Sequence, residues 1–555
     1  MPQHGHRRGW RLGVATAAAV AAAGVLPSVP SSATPTTSTR DDHARACAHR
    51  QNNTPKKLVA CVTRRDLWAH MVKFQQIADA NPGADGHPSR NSGEPGYKAS
   101  ADYVAKIMRQ AGYKVHLQEY KFHYTSFVGD PSMKEESPTP QSFVLGTDFV
   151  PGAVAGTTTA QVQPVGGIVV PATPTPSSAS GCAASDFAGF VPGNIALIQR
   201  GTCTFDQKVA NAEAAGAAAA VIFNEGNPGR TTVFNGGLDG GEQIPILFTS
   251  YDVGTQLLGQ YVPGSAPVLT IDVKTIDDPN RSDWNVIADS RHGNPNKVLV
   301  VDAHLDAIFG AGMLDNASGS ATILDIAQQL KNTHTRNKLR FIWFGGEELG
   351  LLGSDHYVNT LPAPQLAKIK FDLDADVTAT PNYVAGVLDP KDGVTLFGRN
   401  PGTPMPPSIF APSAVGRDFG IDYLNSIGQN HLLFSADGTD AFMFQQAGIP
   451  ASGVLTGQDC CKLASDVALF GGFEGNFEGN VPGFDGGCVD NPFRWCDNLS
   501  NNDPEVLTWM SKTFANMVGH MANDTQVFGS KNSGGHVQKH GVRPDVAAPK
   551  GVVTR

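Results

Sequence analysis

The chain has 555 residues, enough for three to four domains of about 150 residues each. Charged residues make up 17% of it, below the roughly 25% of an average soluble domain, and hydrophobic residues make up 41%, which excludes charge-driven disorder for most of the length. The 42 basic residues against 51 acidic ones give a net charge of −9, so we expect no nucleic-acid partner.

The first 33 residues read as a signal peptide. Arg7, Arg8 and Arg11 precede the uncharged run Leu12–Leu26, and small residues follow it. That run is shorter than the about 20 residues that span a bilayer, and no later run reaches that length, so we expect no membrane association. Residues 34–45 are rich in Thr, Ser and Pro and are predicted to be a linker. The sequence therefore predicts a secreted, extracellular protein.

The chain has eight cysteines, and an even number in an exported protein favours disulfides over metal thiolates. Their grouping predicts the pairs Cys47–Cys61 and Cys182–Cys203. The remaining four allow three pairings: Cys460, Cys461, Cys488 and Cys496. We favour a bond between Cys488 and Cys496, which leaves a vicinal bond between the other two.

Residues 46–149 begin with helical patterns. A first helix is predicted from the helical spacing of four apolar residues, Leu67, Met71, Phe74 and Ile77. A second helix is predicted to be capped by Ser100 and to end before Gly112. A strand is expected over residues 114–124.

The composition changes near residue 150, where Gly, Val, Pro and Thr become frequent. Short apolar runs predict strands at GGIVV, NIALIQR, AAAVIFN and IPILFTS, with a helix at KVANAEAAGA. The stretch NIALIQRGTCTFDQKVANAEAAGAAAAVIFN, with IPILFTS after it, resembles the protease-associated domain, a small β-rich module of secreted peptidases. The resemblance implies that residues 150–275 are a non-catalytic insert that caps or gates a site.

From residue 276 the pattern changes again. The near-continuous apolar runs KVLVVD, LRFIWF and IKFDLDAD are typical of buried parallel strands, and helical segments such as SATILDIAQQL separate them. This predicts an α/β fold with a doubly wound, mostly parallel sheet over residues 276–524. Sheets of this kind bind their ligands beyond the carboxyl ends of the strands. Residues 525–555 show no apolar period and are predicted to be a flexible tail.

One imidazole and several carboxylates follow three of these strands: His304, Asp306, Asp315, Glu347, Glu348 and Asp376. Carboxylates crowded at one sheet edge either take up protons or bind a cation. Nitrogen and oxygen ligands without thiolates suit Zn²⁺, Mn²⁺ or Co²⁺. Each motif alone is common in surface turns and helix starts, but together at one edge they favour a metal site.

Five longer motifs resemble the secreted di-zinc aminopeptidases of metallopeptidase family 28: AHLDAIFGAGMLDNASGSA, RFIWFGGEELGLLGSDHYV, LDADVTATPNYV, GTDAFMFQQAGIPASGVLTG and CDNLSN. The N-terminal stretch NSGEPGYKASADYVAKIMRQAGYKV matches as well, so the protease-associated domain is inserted into one peptidase domain. The resemblance implies a monomeric zinc-exopeptidase fold that removes N-terminal, apolar residues from peptides.

The resemblance also implies roles for single residues. The first zinc ion is held by His304, Asp315 and Asp376, and Asp315 bridges to a second ion bound by Glu348. Glu347 is the general base that activates water and returns the proton to the leaving amine. Asp306 accepts the second ring N–H of His304 and fixes its tautomer.

The C-terminal part departs from the family pattern. A Tyr-His pair expected there is absent, and the loop reads Cys488-Val489-Asp490, so Asp490 is predicted to replace the missing imidazole as a zinc ligand. One alternative is a weak or inactive relative that binds peptides or a partner. Another is a related chemistry on the same scaffold, such as a single-zinc cyclising acyltransferase or a dipeptidase. The retained carboxylates favour the aminopeptidase.

Overall fold

The computed structural model describes residues 46–529, apart from residues 48, 239, 397, 459–460 and 478–496. The predicted signal peptide and linker lie outside the described residues, as do Asp490, Cys460, Cys488 and Cys496. The described chain reaches at least Gly529, because Gln526–Gly529 is helical and Phe528 is buried in the core. The folded chain therefore extends into the segment that we predicted as a tail.

The described strands follow one another as β1 Lys114–Phe127, β2 Ser132–Ser137, β3 Gln141–Ser142, β4 Phe149–Pro151, β5 Gly156–Pro164, β6 Ile195–Gln199, β7 Ala219–Phe223, β8 Ile246–Thr249, β9 Val268–Val273, β10 Thr275–Asp289, β11 Asn294–His304, β12 Asn337–Phe344, β13 Ile369–Ala375, β14 Gly386–Leu388, β15 Leu432–Phe434 and β16 Ala451–Leu455. The described α-helices are α1 Pro55–Val59, α2 Arg64–Ala80, α3 Pro95–Gln110, α4 Phe205–Ala214, α5 Tyr251–Gln260, α6 Ser318–Leu330, α7 Leu352–Thr360, α8 Ala363–Leu366, α9 Phe410–Ser426, α10 Ala441–Gln446, α11 Ala464–Phe470, α12 Pro504–Met521 and α13 Gln526–Gly529.

Helices α2 and α3 test the N-terminal predictions. The four apolar residues predicted for the first helix are all buried in α2, which Thr63 caps. Helix α3 starts earlier than predicted, because Pro95 occupies its first turn, where a missing N–H costs nothing. Ser100 therefore lies inside the helix and donates its hydroxyl to the Gly96 carbonyl instead of capping. Gly112, with φ of +88°, follows the end of the helix as predicted.

The first sheet has the strand order β1-β10-β12-β11-β13-β16-β14-β15. Its central strands β12, β11, β13 and β16 are parallel, while β10 and β14 run antiparallel to their neighbours in that group. Helices α2, α3, α6 and α12 cover one face, and α7 and α10 cover the other. This agrees with the predicted doubly wound α/β sheet, whose strands alternate their side chains between two apolar layers.

The second sheet, of order β3-β2-β9-β5-β6-β7-β8-β4, forms from residues 132–273 and has its own apolar clusters. Strands β6, β7 and β8 confirm three of the predicted runs. The strand predicted at GGIVV is wrong: the side chain of Gln199 takes both backbone hydrogen bonds of Val169. Pro171, which lacks an N–H, follows directly and disfavours continued pairing.

Strands β1 and β10 connect the two sheets. They pair from Lys114 with Asp289 to Phe127 with Thr275, but only residues 286–289 of β10 also pair with β12. The rest of this ribbon extends about 30 Å beyond the carboxyl end of β12, at about 3.3 Å per residue. The second sheet is therefore inserted at the tip of the ribbon, on the edge where parallel strands place ligands.

Two disulfides confirm the predicted pairs Cys47–Cys61 and Cys182–Cys203. Cys461 is also disulfide-bonded, and its partner lies outside the described residues. Within the described part of the chain, none of the helices combines the length and the apolar character needed to cross a bilayer.

Candidate metal centre

Three of the predicted ligands meet at the carboxyl edge of the first sheet. His304 is the last residue of β11, Asp376 follows β13, and Asp315 lies in the turn Met313–Ala317 that leads into α6. The Nε2 atom of His304 lies 3.0 Å from Oδ1 of Asp315 and 3.2 Å from Oδ1 of Asp376. All three side chains are buried, and one potential ligand atom from each lies within 4.8 Å of the others.

Glu347 approaches the same cluster from the turn after β12, and Glu348 follows it in that turn. Oε2 of Glu347 lies 3.9 Å from Nε2 of His304. The carboxylate of Asp306 accepts the backbone N–H groups of Glu347 and Glu348 at 3.3 and 3.4 Å. Asp306 therefore fixes the backbone of the turn that carries both glutamates.

Asp306 also faces His304, as predicted, but through a different atom. The nearest acceptor to Nδ1 of His304 is the backbone oxygen of Asp306 at 3.2 Å, while its carboxylate lies at 3.6 Å. Because this oxygen can accept a ring proton, it favours the tautomer that leaves Nε2 free to face Asp315 and Asp376.

Burial dominates the electrostatics of the cluster. It raises the pKa of Glu347 well above its ordinary value, and the charges of Glu348 and Asp376 raise it further. Burial likewise raises the pKa of Asp376, and that of Asp374 to about 7. Burial alone would lower the pKa of His304, but the charges of Glu347 and Asp376 outweigh it and raise that pKa.

The donor set fits a small divalent cation. One imidazole nitrogen and carboxylate oxygens from two aspartates are ordinary zinc ligands, and a cation among them offsets the repulsion between buried carboxylates. Asp490, the predicted replacement ligand, lies outside the described residues. The geometry thus brings together His304, Asp306, Asp315, Glu347, Glu348 and Asp376 but leaves the position of Asp490 open.

Sequence reasoning missed a carboxylate that supports Asp315. The side chain of Asp497 accepts the backbone N–H groups of Leu314 at 2.8 Å and Asp315 at 3.1 Å. Asp497 belongs to the motif CDNLSN, so the motif itself could have identified it. Asp497 therefore holds the backbone of the turn that carries Asp315 although it lies more than 180 residues further along the chain.

Arg90 was also missed. Its guanidinium is fully buried and donates to the carbonyls of Leu305, Ala311 and Gly312, each at 2.6 Å. These carbonyls belong to the loop between His304 and Asp315, so Arg90 fixes the shape of that loop. A single arginine in a Gly- and Pro-rich stretch carries no signal that could have identified this role.

Asn316 links the segments that carry Asp315 and Asp376. Its side-chain oxygen accepts the N–H groups of Gly319 at 2.7 Å and Val377 at 3.1 Å, and its amide donates to the Ala375 carbonyl at 2.9 Å. The turn that carries Asp315 is thereby bonded to both neighbours of Asp376.

Two family models match the two sheets of this chain separately. The model of peptidase family M28 matches residues 285–518, and the PA domain model matches residues 165–257. An aminopeptidase of Pseudomonas aeruginosa is 35% identical over 86% of this chain and 84% of that protein. Leucine aminopeptidase 2 of Trichophyton rubrum is 30% identical over 74% of this chain and 76% of that protein.

A solved structure shares the fold. The zinc aminopeptidase of Bacillus subtilis superposes with a TM-score of 0.52 at 21% identity, covering 82% of this chain and 94% of that chain. The family model, the relatives of 30% and 35% identity and the inserted second sheet agree with the resemblance found in the sequence. The chain therefore belongs to peptidase family M28, with a PA domain inserted into its peptidase domain.

Proposed function

We propose that this M28 peptidase is a secreted zinc aminopeptidase that removes N-terminal, apolar residues from peptides. The observation that carries the proposal is the buried cluster of His304, Asp315 and Asp376, in which Nε2 of His304 lies 3.0 and 3.2 Å from the two carboxylates. The names of the similar proteins and the family membership support the same activity.

In this proposal His304, Asp315 and Asp376 would hold a first zinc ion. Asp315, Glu348 and Asp490 would hold a second one. The carboxylate cluster also attracts the free α-amine of the substrate, and this explains why cleavage starts at the N-terminus. Zinc, when bound, supplies a Lewis acid that polarises the scissile carbonyl.

Glu347 is the proposed general base. In this role it takes a proton from the attacking water and gives it to the leaving amine. Asp306 holds Glu347 in place through the backbone N–H that it accepts. Arg90 and Asp497 keep the ligand loop in shape, which leaves little reorganisation for the reaction itself.

Secretion is supported by the predicted signal peptide at residues 1–33 and by the disulfides Cys47–Cys61 and Cys182–Cys203. Such bonds persist in oxidising compartments and are rare in the cytosol.

The test uses residues 34–555 and measures zinc per chain together with hydrolysis of leucinamide and N-acetyl-leucinamide. We expect cleavage of the free amine alone. Glu347→Gln should keep its zinc and lose about 100-fold or more in kcat, as for removal of a general base. His304→Ala should lose both zinc and activity, and Glu505→Gln, at an exposed carboxylate, serves as the matched control. Activity that survives Glu347→Gln would contradict the proposal.

A further inference from the structure

The position of Glu347 is set by the backbone of the turn that carries it. Within the described part of the chain, no side chain donates a hydrogen bond to its carboxylate, and its ion pair with Nε2 of His304 is 3.9 Å long. Its backbone carbonyl accepts the N–H groups of Gly350 at 2.9 Å and Leu351 at 2.8 Å, which close the turn. The contacts that hold the residues just before Glu347 therefore also set where its carboxylate lies.

Ser92 holds the residue directly before Glu347. Its hydroxyl oxygen accepts the backbone N–H of Gly346 at 2.8 Å. This bond is shorter than the two bonds, of 3.3 and 3.4 Å, by which Asp306 accepts the N–H groups of the glutamates. Because Ser92 is buried, solvent does not compete for this N–H. Of the three N–H groups, that of Gly346 is thus held most closely.

Asp283 of β10 orients the hydroxyl of Ser92. It is fully buried and is hydrogen-bonded to the Ser92 side chain. It also accepts the backbone N–H groups of Gly93 at 3.1 Å and Trp284 at 2.9 Å, which fix its own position. Since Ser92 donates its one hydroxyl proton to Asp283, a lone pair of its oxygen remains for the N–H of Gly346.

The turn before Glu347 is enclosed by two buried tyrosines. A Cβ atom on Gly345 would lie 2.3 Å from the hydroxyl oxygen of Tyr97, and one on Gly346 would lie 2.7 Å from that of Tyr120. The N–H of Gly345 is accepted by the side chain of Asn285 at 3.2 Å. This packing remains when the hydroxyl of residue 92 is removed, so we expect such a change to shift the turn locally without unfolding it.

We propose that Ser92 is a positioning residue for the general base and that Asp283 orients it. The inference rests on the proposed function, in which Glu347 exchanges a proton with the attacking water and the leaving amine. Ser92 fixes the peptide group directly before Glu347 and so keeps its carboxylate at the distance that proton transfer needs. The neighbouring Glu348 is still held by Asp306 when Ser92 is changed. Ser92 therefore acts on the chemical step rather than on metal or substrate binding.

The experiment compares Ser92→Ala with the wild type in residues 34–555, with leucinamide as substrate and the product leucine as inhibitor. We expect kcat to fall about 10-fold or more, as for a small misplacement of a catalytic group, with KM, the inhibition constant of leucine and zinc per chain within about 2-fold. Ser100→Ala is the matched control, because Ser100 is also buried but its hydroxyl donates to Gly96 within α3, at 2.9 Å. It should lose comparable stability in urea unfolding and keep its kcat.

Asp283→Asn tests the orienting step and decides the question if Ser92→Ala does not fold. We expect it to lower kcat while KM and zinc content stay unchanged. The double variant with Ser92→Ala should lose no more kcat than the poorer single variant, because both changes act through one hydroxyl.

An unchanged kcat in folded Ser92→Ala overturns the inference. So does a loss of zinc, or a rise in KM that accounts for the whole fall in kcat/KM. Losses that multiply in the double variant overturn it as well, since they would show two independent effects. Failure of the wild type to cleave leucinamide, or activity that survives Glu347→Gln, would instead reject the proposed function.

Discussion

At the scale of single residues, Asp306 links the imidazole and both glutamates without being one of the proposed zinc ligands. Its carboxylate accepts the N–H groups of Glu347 and Glu348, and its backbone oxygen faces Nδ1 of His304. Groups that orient metal ligands in this way commonly change metal affinity or activity by 10–100-fold when they are removed.

We therefore expect Asp306→Ala to lower zinc affinity or kcat by about 10–100-fold, because both N–H groups lose their acceptor and the glutamate turn loosens. Zinc affinity is measured by competition with a chelator, and kcat with leucinamide. Asp102→Ala is the control, since Asp102 is exposed and forms a surface ion pair with Lys98. Equal behaviour of the two variants would contradict the role of Asp306.

At the scale of elements, the helices and strands with a clear period matched the sequence, and the errors have local causes. Pro95 moved the start of α3 ahead of Ser100 because a proline in the first turn loses no hydrogen bond. At GGIVV a glutamine side chain replaced a neighbouring strand as the hydrogen-bond partner. Neither event leaves a trace in hydrophobic periodicity.

Helix α6 carries a buried carboxyl that makes stability depend on pH. Asp325 is fully buried, and burial raises its pKa to about 7. In the unfolded chain an aspartate titrates near 3.9, so the folded state holds a proton that the unfolded state releases as pH rises. This stabilisation is complete below about pH 4 and is lost as the pH rises through 7.

In the wild type, Oδ1 of Asp325 accepts a hydrogen bond from the side-chain amide of Gln329 at 3.0 Å. The substitution Asp325→Asn keeps an oxygen that can accept this hydrogen bond, but it removes the group that titrates. Between pH 5 and pH 8 we expect the free energy of unfolding of the variant to fall by about 2.6 kcal/mol less than that of the wild type. Urea unfolding at both pH values measures it, with Asp102→Asn as the exposed control. A variant with the same pH slope as the wild type would show that Asp325 is already ionised in the folded protein.

At the scale of the whole molecule, the inserted domain joins the peptidase through a closed ribbon. Phe127 pairs with Thr275, and the N–H of Val128 donates to the carbonyl of Lys274 at 2.8 Å, so the two chain ends of the insert lie side by side. The peptidase and the inserted domain also have separate apolar clusters. The insert can therefore be removed without opening the first sheet.

Replacing residues 128–274 with Asn-Gly should leave a peptidase that folds, because this dipeptide forms the two-residue turn that an antiparallel ribbon accepts. We expect it to bind zinc like the full chain and to cleave leucinamide within a few-fold of its rate. Circular dichroism, zinc content and kcat/KM measure the outcome. Loss of cooperative unfolding or of zinc would show that the inserted domain supports the metal centre.

Much of the candidate centre could be predicted because its residues sit in local patterns. His304, Glu347 and Asp376 each follow an apolar run, and the ends of parallel strands meet at one edge for topological reasons. Arg90 could not be found this way, and Asp497 only through the motif CDNLSN, since each acts on backbone groups more than 180 residues distant. Hydrogen bonds to carbonyls and N–H groups place no demand on the sequence of the loop that receives them.

The sequence alone determined the family, the order of the main strands along the chain, two disulfides and the set of candidate metal-binding side chains. These follow from hydrophobic period, motif spacing and residue chemistry, which are local properties. Only the tertiary structure decided that Asp306 faces His304 mainly through its backbone, and that Arg90 and Asp497 fix the backbone between His304 and Asp315. It also decided that Phe309 of this loop packs against the inserted domain. These contacts join segments far apart in the chain, and their geometry is fixed by packing rather than by any short pattern.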